Sequence, residues 1–473
     1  MFIKTQRNPL LRVRFAPSPT GNLHIGGMRT ALFNWLFARS TGSTFVIRVE
    51  DTDPERSKVE FTQAQVEALA WCGIQSDEPL VFQSQRNHAY QEVIDQLLSE
   101  KKAYRCYCSP EAVEARIRSA GVTDEHFKYD GLCRTVSEDQ HGKTFVIRVA
   151  FPEDIKELIV QDLIRGTVTF ESSQFDDFII ARSDGSPMYN FAVVVDDAFQ
   201  KITHVIRGEE HLGNTPKQMI LYRALGLTPP QFAHIPLILS PDGGKLSKRD
   251  GAVDVLVYKQ EGYLADALVN YIVRLGWSHG DQELFTREEL IEYFSLQAVG
   301  KKGAVFDIHK LQWINATYIK QLSAQACFEW LCADVMPDLM GRVPRWNSEV
   351  VTNALALYKD RVKTGKDLCQ AVINLHNGPK DYAQEEVVKW MTPEARIQLK
   401  ELVRRLTLLD AFTKEQVADI INTFCKEHEI KLVALAQPIR IALTGGTHSP
   451  GVFDLLALVA KAESLDRMHA LLR

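Results

Sequence analysis

Cysteine is sparse in this chain: eight residues, at 72, 106, 108, 133, 327, 332, 369 and 425, are scattered over 473. A disulfide scaffold is shorter and denser in cysteine, so reduced thiols and a cytoplasmic address are expected. No stretch approaches the ~20 uninterrupted apolar residues of a membrane span. Met1-Phe2-Ile3-Lys4 does not open a signal-peptide core, so no membrane partner is expected. Surplus charge is also missing: 55 Lys+Arg against 60 Asp+Glu give a net −5. That balance excludes a histone-like polybasic binder but leaves room for a local basic face. Repeats and low-complexity tracts are absent. What is present is ordinary globular composition, with 45% hydrophobic and 24% charged residues. There is apolar surface enough for packed cores, which excludes disorder across the chain. At roughly 100–200 residues per domain, the length suggests about three domains.

Residues 11–16 read as a short strand and Pro17-Ser18-Pro19-Thr20-Gly21 as a turn. A helix follows over 26–40, apolar at Ala31, Leu32, Trp35, Leu36 and Ala38, with Gly42 as its stop. Residues 44–49 then alternate into a strand ending at Glu50-Asp51-Thr52-Asp53-Pro54. Strand, helix and strand at this length make a βαβ unit and imply a parallel sheet. Residues 90–190 differ. They carry Cys106-Tyr107-Cys108, short helices, and hairpin-like strands at 178–182 and 188–195 around the Asp184-Gly185 turn. A buried-type strand at 202–207 restores the first pattern. Thr215-Pro216-Lys217-Gln218 reads as a capping box with Pro at the first helical position. Beyond about 255 the periodicity is helical nearly to the end, as at 399–409 and 453–460. The fold class expected is a Rossmann-like α/β domain with an α+β insertion, followed by an all-α C-terminal half.

Two short elements bear on chemistry. His24-Ile25-Gly26-Gly27 sits at a strand-to-helix turn. A helix N-terminus there offers N–H groups and a positive dipole end to phosphates, the glycines permit close approach, and His24 can donate to a phosphate oxygen. Lys245-Leu246-Ser247-Lys248-Arg249 follows Asp242-Gly243-Gly244. Three cations in five residues beside two glycines suit a loop that closes over a polyphosphate. Taken singly, the first is more often an ordinary βα turn and the second a solvated basic run.

Together they resemble the two signature elements of class I aminoacyl-tRNA synthetases. Arg14-Phe15-Ala16-Pro17-Ser18-Pro19-Thr20-Gly21, Arg48-Val49-Glu50-Asp51-Thr52-Asp53 and His204-Val205-Ile206-Arg207-Gly208-Glu209-Glu210 resemble the bacterial glutamyl-tRNA synthetases in particular. So do Phe306-Asp307-Ile308-His309-Lys310-Leu311 through Asn315, and Gln437-Pro438-Ile439-Arg440-Ile441-Ala442-Leu443-Thr444-Gly445. The resemblance runs over essentially the whole chain, in the family's order. Gly27 stands where the first element often ends in His, and Leu246 and Arg249 depart from the second. Lys248, the lysine on which the family's mechanism depends, is kept.

The resemblance implies a ligase that joins L-glutamate to tRNA-Glu through a glutamyl-adenylate, using ATP with Mg²⁺; the oligomeric state stays open, with a monomer as the default. His24 and Lys248 would be catalytic, and His24, Gly26, Gly27, Lys245 and Lys248 would hold ATP. Arg14 would take the side-chain carboxylate of glutamate, which a guanidinium pairs bidentately. Ser18 and Glu50 would take its backbone end, with Tyr189 and Arg207 completing the pocket. The alternatives for two of these are structural: an Arg14 pair with Asp51 or Asp53, and Tyr189 as sheet packing. The implied layout is a catalytic domain over 1–90 and 191–255, an acceptor-binding insertion over 91–190, a stem-contact helical domain over 256–330 and an anticodon-binding region over 331–473. Charging of tRNA-Gln as well stays open. A nucleotidyltransferase without tRNA would leave some 200 helical residues idle. A short relative that glutamylates a tRNA base would lack that half. A non-catalytic tRNA binder would be expected to lose Lys248, His24 or Arg14.

Cys106, Cys108 and Cys133 have spacing that can hold zinc. The family often has His two residues after the last Cys, where this chain has Thr135. Tyr129 is the nearer candidate for a fourth ligand and His141 the remoter. A structural zinc and a site that has lost its metal both stay open. In the helical half, 341–410 carries twelve Lys/Arg against nine Asp/Glu, compatible with an RNA-facing or a merely solvated surface. Trp313, Trp330, Trp346 and Trp390 can stack on bases, but core packing is the commoner use of such residues. Arg361 and Lys363 are candidate neighbours of the anticodon.

Overall fold

The computed structural model describes residues 10–119, 128–135, 142–244, 246 and 254–473. Its strands are β1 (Arg12–Phe15), β2 (Thr44–Val49), β3 (Val81–Phe82), β4 (Ala103–Cys106), β5 (Val146–Val149), β6 (Glu157–Asp162), β7 (Gly166–Glu171), β8 (Ile179–Ala181), β9 (His204–Gly208), β10 (Gln231–Ile235), β11 (Ile238–Leu239) and β12 (Ala304–Val305). The helices that flank them are α1 (Ile25–Thr41), α2 (Val59–Trp71), α3 (Asn87–Ser99), α4 (Pro110–Ser119), α5 (Tyr189–Phe199) and α6 (Thr215–Ala224).

The main sheet runs β3-β2-β1-β9-β10-β6-β7. All its pairings are parallel except the edge hairpin β6–β7. Helices cover such a sheet on both faces, so its central strands read as continuous apolar runs, as β2 does with Phe45–Ile47 and Val49 buried. The chain leaves β1 for β2 on one side and returns as β9 on the other. Ligands bind at the carboxyl ends of strands where the order reverses in this way. Between β1 and β2, α1 ends at Gly42, whose φ of 66° is the left-handed conformation a helix C-terminus favours.

Three local expectations differ from the structure. Residues 189–199 form α5 and not a strand. Its five apolar residues Phe191–Val195 are all buried, and a fully buried run carries no period to separate helix from strand. Asn214 and not Thr215 caps α6, with no side-chain capping bond, because the Thr215 hydroxyl is engaged by Arg207 and His234. The C-terminal half is not purely helical: β12 pairs in parallel with β11, Ile238 opposite Ala304. Two residues are too few to show periodicity.

Within 91–190, β4, β5 and β8 form their own antiparallel sheet, while β6 and β7 extend the main sheet. The chain divides into two compact units, Met1–Leu256 with Leu268–Ile308, and Val257–Ala267 with His309–Arg473. In the second unit, one apolar core gathers around Leu331, Leu355 and Val372, and another around Leu402, Phe424 and Leu455. Trp330, Trp346 and Trp390 pack against these cores. Trp313 is half exposed, with the Lys310 ammonium 4.4 Å from its ring. No helix among the described residues is long and apolar enough to cross a membrane.

Candidate active site

Arg14, Ser18, His24, Gly26, Gly27, Glu50, Tyr189 and Arg207 line one cleft of about 430 Å³ at the carboxyl ends of β1 and β9. The turn after β1 is fixed from outside. Buried Gln65 of α2 donates to the carbonyls of Ser18 (3.2 Å) and Gly21 (2.7 Å), and the Glu50 amide donates to the Pro17 carbonyl. His24 caps α1: its Nδ1 accepts from the Gly26 and Gly27 amides at 3.1 and 3.3 Å. Accepting at Nδ1 puts the proton of a neutral imidazole on Nε2. A Cβ on Gly26 would lie 3.0 Å from His24 Cε1, so this position is glycine because the imidazole occupies the space.

Behind the cleft lies a buried ionic network. Arg14 Nε donates to Asp197 Oδ1 (3.1 Å), and Arg48 Nη1 donates to the same oxygen (2.6 Å). Arg48 also bonds Gln200 and Glu50. Neighbouring Asp196 accepts from Gln83, Arg86 and Tyr90. Burial works to raise the Asp197 carboxyl, but Arg14 and Arg48 outweigh it and hold it below the usual range. Glu50 is shifted the other way: burial raises it, and Arg48 and Arg14 offset only part. Arg14 therefore pairs with Asp197, not with Asp51 or Asp53. Asp51 accepts from Ser84 and Asp53 from the amides of Glu55 and Arg56. Tyr189 opens α5 at the cleft, its hydroxyl 3.4 Å from His211 Nδ1.

Arg207 is buried without a carboxylate partner among the described residues. Its Nε donates to His234 Nε2 (3.1 Å), and its Nη2 to Thr215 Oγ1 (2.8 Å) and the His211 carbonyl (3.3 Å). Burial lowers this guanidinium to about 10. Arg29 of α1, likewise lowered to about 10 by burial, also lines the cleft and holds the carbonyls of Leu275 and Pro236. Sequence reading missed Arg29, Arg48, Asp197, Glu210 and His211. An arginine inside the apolar β2 and an Asp pair inside the apolar α5 were the available signal, since buried charges require partners.

Lys245 and Lys248 lie outside the described residues. The residues beside that segment reach the cleft: Leu246 lines it, and His24 bridges to Asp254. His141 is likewise outside the description. Away from the cleft, the sulfurs of Cys106, Cys108 and Cys133 all lie within 4.8 Å of one another. The Tyr129 hydroxyl is 3.4 Å from Cys106 Sγ and 3.8 Å from Cys108 Sγ. Three thiols and one phenol form a donor set that fits a tetrahedral zinc ion.

A helix N-terminus beside three buried guanidiniums and one buried carboxylate can hold a phosphate, a second anion and an ammonium side by side. Residues 10–313 match the family described as tRNA synthetases class I (E and Q), catalytic domain, and 324–472 match the anticodon binding domain. The chain is 45% identical over 461 residues to the glutamate--tRNA ligase of Thermodesulfovibrio yellowstonii, covering 97% of this chain and 99% of that one. It is 43% identical over 463 residues to glutamate--tRNA ligase 1 of Coxiella burnetii, covering 98% of each. A crystal structure of a glutamate tRNA ligase from Elizabethkingia meningosepticum, in complex with its amino acid, superposes with a TM-score of 0.87 at 32% identity, over 98% of this chain and 99% of that chain.

Proposed function

Because the chain belongs to the class I (E and Q) tRNA synthetase family, we infer that this cleft is where ATP and glutamate react, and we assign its side chains accordingly. The enzyme is a glutamate--tRNA ligase: it joins L-glutamate to tRNA with ATP. One observation carries the assignment of roles. The cleft joins a capped helix N-terminus to Arg14, Arg207 and Glu50, the complement of a nucleotide, a side-chain carboxylate and an α-ammonium.

ATP enters as its Mg²⁺ salt with its phosphates at the start of α1, where the helix dipole favours anions. His24 donates Nε2–H to the α-phosphate region as charge develops there, and Lys248 stabilises the leaving pyrophosphate. Arg14 holds the side-chain carboxylate, Ser18 and Glu50 hold the backbone end with Glu50 on the α-ammonium, and Tyr189 and Arg207 complete the pocket. The α-carboxylate of glutamate attacks the α-phosphorus in line, giving glutamyl-adenylate and pyrophosphate. The terminal ribose hydroxyl of tRNA then attacks the activated carbonyl and releases AMP. Neither step uses a covalent enzyme intermediate, so catalysis rests on positioning and charge stabilisation. Residues 91–190 are assigned to the acceptor end of tRNA, 256–330 to stem contact and 331–473 to the anticodon.

Cys106, Cys108, Cys133 and Tyr129 are assigned to one structural zinc ion that braces the insertion and takes no part in either step. The eight free thiols suit a reducing cytoplasm, and the working unit is taken as a monomer. Charging with labelled glutamate, run in parallel on tRNA-Glu and tRNA-Gln, tests the function. Glutamyl-tRNA-Glu is the expected product. A second product on tRNA-Gln would mark a broader enzyme whose output needs amidation. Charging of neither by folded protein with ATP would overturn the reading.

A further inference from the structure

We propose that Asp162 and His234 are positioning residues that aim Arg207 into the amino-acid pocket, so that the inserted segment contributes to glutamate recognition. This rests on Arg207 being a wall of that pocket, as assigned above. Asp162 closes β6, inside the insertion, and the parallel pairing of β6 with β10 sets it opposite Phe232, two residues before His234. Both side chains are buried. Asp162 Oδ2 is 2.6 Å from His234 Nδ1, and Oδ1 accepts from the amides of Ile164, Arg165 and His234.

An ionised carboxylate can only accept, so it fixes the proton of His234 on Nδ1. His234 Nε2 is then an acceptor, as its other two neighbours require: it takes Arg207 Nε–H at 3.1 Å and the Thr215 hydroxyl at 3.2 Å. Thr215 in turn accepts from Arg207 Nη2. Every donor in this chain meets an acceptor, and two edges of the guanidinium are spoken for. Arg207 lines the cleft, and among the described residues its Nη1 alone has no partner. A buried cationic N–H of this kind is satisfied by an incoming anion.

The test is steady-state charging with glutamate, ATP and tRNA varied in turn, on the full chain and on Asp162→Asn, His234→Ala, His234→Gln and Arg207→Ala. Asp162→Asn keeps the oxygen that accepts the backbone amides but places an N–H₂ against His234 Nδ1. The imidazole then carries its proton on Nε2, donor against donor toward Arg207. Asp162→Asn and His234→Ala are expected to raise KM for glutamate about 10- to 100-fold, the scale of one hydrogen bond to a charged group, with KM for ATP unchanged. His234→Gln, whose amide oxygen can accept from Arg207 Nε, should recover most of that loss. Thermal melts check folding, and the His234→Ala and His234→Gln pair carries the test if Asp162→Asn does not fold. Unchanged glutamate KM in Asp162→Asn and His234→Ala, with Arg207→Ala raising it, overturns the relay and leaves the function standing. A parallel rise in the KM for glutamate and ATP, with no recovery by Gln, also overturns it, as a general packing role. No charging by the unsubstituted chain would overturn the function and this assignment with it.

Discussion

Arg48 is a fully buried cation on a strand that is otherwise largely apolar, and besides Glu50 its partners Asp197 and Gln200 come from the end of α5, some 150 residues away. Removing one member of a buried pair leaves the other charge uncompensated, which costs about 3–5 kcal/mol. Asp197→Asn should therefore destabilise the protein by about that amount in urea unfolding, and should weaken glutamate binding because Arg14 loses its anchor. The pH dependence follows from the depressed Asp197 carboxyl. Its stabilising contribution is complete above the ordinary aspartate value of about 3.9 and is lost as pH falls below that value. Acid unfolding of Asp197→Asn should lack this part of the slope. At this scale the sequence was informative about groups that face a ligand, such as Arg14 and Glu50, because they sit in contiguous motifs. It named no partner for Asp197 and was silent about Asp162 and His234, whose roles exist only through residues distant in sequence.

Among the elements, α1 shows how local chemistry sets a site. The His24 imidazole caps the helix and faces the cleft from the same position, and Gly26 leaves it room. Replacing His24 with Ala should lower kcat roughly 10²–10³-fold, as for loss of one preorganised donor. Gly26→Ala, which displaces the ring without removing it, should have a smaller effect in the same direction, read in ATP–pyrophosphate exchange. The cysteine element makes a separate prediction. Elemental analysis should find one zinc ion per chain, Tyr129→Phe should release it at lower chelator concentration, and KM for ATP should stay unchanged when it leaves. The strand-helix-strand start was legible because the turn at 17–21, the stop at Gly42 and Pro54 punctuate it. Helix α5 was misread because complete burial erases the period that separates helix from strand.

The cleft assigned to ATP above lies within the first unit, while the anticodon-binding match lies within the second. From the resemblance to the glutamyl-tRNA synthetases, ATP–pyrophosphate exchange with glutamate is expected only when tRNA is present. Exchange of equal rate without tRNA would show that activation is complete within the catalytic half. Charging should also weaken as salt rises, since every phosphate neutralised by Lys or Arg releases a counterion.

The order β3-β2-β1-β9-β10 has a consequence for synthesis on the ribosome. Arg12 and its hydrogen-bond partner Thr203 are 191 residues apart in the chain. At roughly 5–20 residues per second, the inner edge of β1 emerges about 10–40 s before the strand that will cover it. For that interval the nascent chain carries a strand edge with unpaired backbone groups, the kind of surface on which chains associate with one another. Slow translation between codons 50 and 200 should therefore lower the soluble yield more than the same delay placed after residue 235.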